Sequence, residues 1–132
     1  MIRKYVRRNI MRGAKESKVL SATTIIGDSV RNPQGEDLGE IEELMIDIED
    51  GCISYAVLFF SGLTGIGDKL FAVPWKALQI RPEEHAFILD IKKERLEKAP
   101  GFDKDSWPDM TDPEFISLIQ NYYNVQRMSG VS

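Results

Sequence analysis

The sequence has one cysteine and one histidine, and its longest strongly apolar run is Ala56 to Phe60. With Cys52 alone, no intrachain disulfide can form, which fits a reducing compartment. One Cys and one His exclude a Cys/His metal cluster. The apolar run is far short of the ~20 residues that a spanning helix needs. The first residues lack the apolar segment of ~7–15 residues expected of a secretory signal. The expectation is a cytoplasmic protein, at most peripheral to a membrane. There is no internal repeat and no low-complexity tract.

What is present is ordinary for a globular domain: 132 residues, 42% hydrophobic and 29% charged. A chain of this length buries roughly two-thirds of its unfolded surface, so a real core is expected. The charge, however, is unevenly spread. Residues 1–18 hold seven bases and one acid, and the remainder carries a net charge of −10. Arg3, Lys4, Arg7, Arg8 and Arg12 are the candidate residues for an anionic surface. Ile2, Tyr5, Val6 and Ile10 lie near helical spacing among the bases. A basic amphipathic arm can lie on anionic lipid or a phosphate backbone. It can equally pair with an acidic patch on its own body or on a neighbouring subunit, or simply fray. The acidic body disfavours nucleic-acid binding.

From Gly27 to Ile91 strand patterns alternate with turn signals. Ser29–Arg31, Leu38–Ile48, Ile53–Ser61, Lys69–Pro74, Leu78–Arg81 and Ala86–Asp90 read as strands. Asn32-Pro33-Gln34-Gly35 has turn chemistry, and Glu49-Asp50-Gly51 should close a hairpin. Gly39 marks a bulge or bend. The strand from Ile53 is apolar on both faces and should be buried on both sides. Alternation places Leu44, Ile46, Ile48, Tyr55, Val57, Phe59, Phe71 and Val73 inward. Short connections argue against parallel pairing. Strands at this spacing predict a mainly β fold, a small antiparallel barrel whose closure removes exposed edges. Asp90 should cap a short helix over 92–98. Trp107-Pro108 reads as an anchor onto the body. Asp112-Pro113 starts a helix whose apolar stripe runs through Phe115, Leu118, Ile119 and Tyr122, widened by Ile116 and Tyr123.

Candidate chemistry is sparse. His85 sits in a predicted turn, and sequence alone brings neither Cys52 nor a serine beside it. Aligning Gly51 with the invariant glycine of a calcium loop places Ile46 and Ile48 at ligand positions, which fails. The adjacent carboxylate pairs read as solvated faces. The Gly-rich loop Ser61–Asp68 matches neither a dinucleotide fingerprint nor a phosphate-binding loop. Its glycines permit positive φ and a mobile loop. No catalytic, cofactor or metal residue is assigned.

The runs Gly35-Glu36-Asp37-Leu38-Gly39-Glu40-Ile41-Glu42-Glu43-Leu44-Met45-Ile46-Asp47, Ile53-Ser54-Tyr55-Ala56-Val57-Leu58 and Gly65-Ile66-Gly67-Asp68-Lys69-Leu70-Phe71-Ala72-Val73-Pro74-Trp75 closely resemble the PRC-barrel family. That family includes the cytoplasmic domain of the photosynthetic reaction-centre H subunit and the C-terminal domain of a ribosome maturation factor. The resemblance covers about residues 21–98, with 1–20 as a basic arm and 99–132 as a C-terminal extension. It implies a six-stranded, mainly antiparallel barrel that docks other proteins without catalysis, with homo-oligomers expected. Candidate contact residues are Gly62, Leu63, Gly65, Ile66, Gly67 and Asp68 of the loop, and Ile116 and Tyr123 of the helix. The protein partner is unspecified, and the arm adds a possible peripheral contact with anionic membrane. The competing readings are a small-ligand barrel and a weak enzyme, which a lumen plugged by bulky side chains disfavours.

Overall fold

The computed structural model describes residues 19–60 and 69–124. Its elements in order are α1 (Ala22–Ile25), β1 (Ser29–Arg31), β2 (Asp37–Asp47), β3 (Cys52–Phe60), β4 (Lys69–Pro74), β5 (Leu78–Arg81), β6 (Ala86–Leu89), α2 (Lys93–Glu97) and α3 (Pro113–Tyr122). Single 3-10 turns, Trp75–Ala77 and Pro82–Glu84, flank β5. The strand boundaries fall within about two residues of those read from the alternation pattern.

The six strands form one sheet in the order β4-β3-β2-β1-β6-β5. Four of the pairings are antiparallel, but β1 and β6 run parallel, with Ser29 opposite Ala86 and Arg31 opposite Ile88. This corrects the antiparallel expectation. A parallel pair needs a long return connection, and here the strands β2 to β5 supply it without a crossover helix. The closed barrel is also corrected. β4 and β5 are the two ends of the sheet, which curls into a half-barrel. β4 is covered not by β5 but by the C-terminal extension. Leu70 and Phe102 exchange backbone hydrogen bonds of 3.0 and 2.8 Å, and Trp107 packs on Phe102 at 5.1 Å.

The concave side is filled. Phe71, Phe87, Leu38, Ile41, Leu58, Leu96 and Ile119 are fully buried, and Trp75 packs on Phe87 at 5.6 Å. In β3, Tyr55, Ala56, Val57 and Leu58 are consecutively buried, as its two apolar faces require. Tyr55, Val57, Phe71 and Val73 are all buried, but not on one face: Val57 pairs with Ala72 and Leu58 with Phe71, so Tyr55 and Val57 lie on the opposite side of the sheet from Phe71 and Val73, while Leu44 and Phe59 are half-buried. Ile46 and Ile48 are instead exposed, beyond the stretch of β2 that pairs with β1. β2 carries an unpaired Leu38 against β1 and an unpaired Glu42 against β3, and β3 an unpaired Ser54 against β2. Each extra residue switches the face of everything beyond it. At the first bulge Gly39 has φ +110, and an added Cβ would lie 2.1 Å from the Phe59 carbonyl oxygen.

Asn32 ties the β1–β2 turn to the segment that follows β6. Its side chain is 1% exposed. Its Nδ2 donates to the Ile91 carbonyl at 3.1 Å and to Glu36 Oε1 at 2.7 Å. Its Oδ1 accepts from the amides of Gln34 at 3.1 Å and Glu36 at 2.9 Å. Glu36 Oε1 also accepts from the Lys93 amide at 3.2 Å. That contact corrects the expected Asp90 cap: α2 is capped by Lys92, without a side-chain bond from its own segment. Asp112 does cap α3, accepting from the Glu114 amide at 3.0 Å. The apolar stripe of α3 packs on the body through Ile119 and through Phe115, 6.1 Å from Tyr55. A reciprocal clasp fixes its end. Arg95 Nη2 donates to the Tyr122 carbonyl at 2.8 Å, and the Tyr122 hydroxyl donates to the Arg95 carbonyl at 2.6 Å.

Candidate functional site

β1 pairs with β2 only from Asp37 to Glu40, and β4 pairs with β3 only from Tyr55 to Phe60. Beyond those limits β2 and β3 pair only with each other among the described residues, through Ile46–Ile53 and Asp47–Cys52. The result is a two-stranded ribbon with unpaired edges, able to accept another strand. At its root Leu44 and Met45 pack against the core.

The tip is held by its own polar groups. The Gly51 amide donates to the Asp47 carbonyl at 2.8 Å, and Asp47 Oδ1 accepts from the Glu49 amide at 2.9 Å. Asp50 Oδ1 accepts from the Cys52 amide at 3.1 Å. Gly51 has φ +73, which favours glycine. On this fixed turn Ile48 is 90% exposed, and Ile46 just before it is 53% exposed. Between Asn32 and Phe60 there are eight acidic residues and no Lys or Arg. Glu42, Glu43, Asp47, Glu49 and Asp50 lie on the ribbon and are exposed. Two isoleucines thus stand in a field of one sign. Chemically, such a surface fits a strand carrying both apolar and cationic side chains.

Gly62, Leu63, Gly65, Ile66, Gly67 and Asp68 lie outside the described residues, as do Arg3, Lys4, Arg7, Arg8 and Arg12. Of the helix pair, Ile116 is half-buried. Tyr123 is only 9% exposed, so it fixes α3 to the body rather than facing a partner. Burial pushes its phenol above the ordinary tyrosine range, the neighbouring Tyr122 adds to this, and Arg95 partly offsets it. Leu118 is the apolar residue of α3 that faces out. Cys52 is exposed at the base of the ribbon turn. His85 closes the 3-10 turn over 82–84 in the left-handed region, with φ +52. Among the described residues no group of three or more His, Cys, Asp and Glu side chains is arranged to hold a metal. Nor is any described helix long and apolar enough to cross a membrane.

Sequence reasoning missed the ribbon because it sent Ile46 and Ile48 inward. The available signal was the long stretch of acids without a base.

A family model of the PRC-barrel domain matches residues 17–96 of this half-barrel chain. The chain belongs to the PRC-barrel family. Among solved structures the PRC-barrel resembles a protein of Pseudomonas aeruginosa assigned to 16S ribosomal RNA processing, RimM. The match covers 61% of this chain and 48% of that one, with 15% identity and a TM-score of 0.40. This PRC-barrel thus spans about half the length of that protein. No curated protein matches the chain.

Proposed function

We propose that this PRC-barrel is a non-catalytic docking module that takes up a cationic, partly apolar segment of another protein along the β2–β3 ribbon. The observation that carries the reading is the ribbon itself: unpaired edges, a fixed tip and two exposed isoleucines amid carboxylates. Addition of a strand to a free edge uses backbone hydrogen bonds for affinity and alternate side chains for specificity. The acids set that specificity. A second copy presenting its own ribbon would bring carboxylates against carboxylates, which opposes self-pairing here. A Lys- or Arg-bearing strand reverses the sign of that interaction. The filled concave side supports a role on the outer surface rather than in a lumen.

The test is fluorescence anisotropy with a labelled peptide of alternating Lys and Val, titrated with the full chain. Saturable binding is expected, weakened at least about tenfold by the double substitution Ile46→Glu/Ile48→Glu and by raised salt. Binding that the double variant leaves unchanged removes the ribbon from the account. A synthetic peptide of residues 1–18 that binds more tightly than the alternating peptide assigns the ribbon to the chain's own basic arm, against an outside partner.

A further inference from the structure

A second surface has the opposite chemistry. Where the chain leaves β6 and passes into α2, a cleft of about 680 Å³ opens between that segment and the end of α3. Lys76 comes to it from the 3-10 turn before β5, Lys92 from the linker after β6, and Arg95 from α2. Asp90 is the one carboxylate in the lining. Three cations around one acid, on a body whose charge is strongly negative, repel one another unless something balances them. Among the described residues neither lysine forms an ion pair within 4.0 Å; Lys92 acts on the Glu36 carboxylate only at longer range, and the close ion pair joins Arg31 and Glu84.

Two tyrosines complete the wall. Tyr122 is already engaged, because Arg95 stacks over its ring at 4.2 Å and the two residues exchange the hydrogen bonds of the clasp. That clasp uses one nitrogen of the guanidinium and holds the rest of the fork in place at the cleft. Tyr123 is different. It lines the same cleft, and its hydroxyl is buried with no hydrogen-bond partner among the described residues. A buried hydroxyl left unpaired is unfavourable, and native structures hold few of them. Here the orphan belongs to the residue that also lines the cationic cleft.

From this convergence we infer that the cleft is a binding site for a small phosphorylated molecule, a phosphate monoester or diphosphate. A doubly charged phosphoryl group balances the surplus of positive charge, which a single carboxylate does not. Its several oxygens take the fork of Arg95 and the point charges of Lys76 and Lys92 together. The volume lies within the range of small-molecule sites. The site shares no residue with the ribbon, so it stands or falls independently of the docking reading.

The experiment is isothermal titration of the full chain with pyrophosphate at constant ionic strength, with succinate and chloride as parallel arms. Saturable binding of pyrophosphate is expected, with succinate at least about tenfold weaker. Lys76→Gln and Lys92→Gln, both at exposed side chains, should each weaken it about tenfold. Tyr123→Phe should weaken it several-fold while leaving the melting temperature unchanged or raised. Pyrophosphate binding that does not saturate, or that survives the double lysine change, overturns the assignment. So does saturation by succinate in preference to pyrophosphate. An unchanged affinity in Tyr123→Phe overturns the reading of the orphan hydroxyl as part of the site.

Discussion

The Asn32 junction and the β2–β3 ribbon lie within fifteen residues of each other in the sequence, yet they use polar groups in opposite ways. At the junction the Asn32 side chain is buried and every one of its donors and acceptors is engaged, so it joins segments 59 residues apart. On the ribbon the carboxylates Asp47 and Asp50 only shape their own turn, and the rest of the polar surface faces water. The difference separates what holds the half-barrel together from what it offers to other molecules. A buried hydrogen-bonded group is costly to disturb, whereas exposed charges contribute little stability and much specificity.

The comparison can be broken first at its hinge. Gly39→Ala forces a Cβ against the Phe59 carbonyl in a positive-φ conformation, and we expect a loss of about 3 kcal/mol or more in chemical denaturation. Asn32→Ala leaves the Ile91 carbonyl and two turn amides without their partner, and about 2–3 kcal/mol should be lost by the same measurement. A smaller, pH-dependent effect belongs to Glu36. The Asn32 side chain first, then the Lys93 amide and the neighbouring lysine charges, hold its carboxyl below the usual range. A depressed folded-state value means stability that is present above the unfolded value and lost as pH falls through the folded one. Glu36→Gln should therefore lower the neutral-pH melting temperature slightly, converge with the parent in acid, and so flatten the decline between the two. The smallest effect should come from the tip. Ile48→Ser touches a side chain that is almost wholly in water, so its denaturation midpoint should stay within about 0.5 kcal/mol of the parent.

Much of the half-barrel was readable in the sequence because local chemistry and tertiary role agree there. The run from Tyr55 to Leu58 is apolar on both faces and is buried on both. Asn32-Pro33-Gln34-Gly35 turns, with Gly35 at φ +90. Asp112-Pro113 begins a helix whose stripe finds the body. What was not readable depends on which strands lie side by side. Ile46 lies beyond the stretch of β2 that pairs with β1 and is exposed there, and no alternation count says where the body beneath a strand ends. The parallel pairing of β1 with β6 depends on how four intervening strands curl, not on either strand's sequence. Asn32 read as a turn residue because its bond to Ile91 is invisible until the sheet brings β6 beside β1. Tyr123 was placed on a contact surface because a helical stripe does not say which of its aromatics faces the core.

The claim at the centre of the account is that the ribbon accepts a cationic strand. Its most direct test is a nuclear magnetic resonance titration of the labelled full chain with the alternating Lys/Val peptide. The account predicts saturable shifts concentrated in residues 43–53, with the Asn32 junction unmoved and the response abolished in Ile46→Glu/Ile48→Glu. Shifts spread evenly over the acidic surface, or a double variant that responds like the parent, would contradict it.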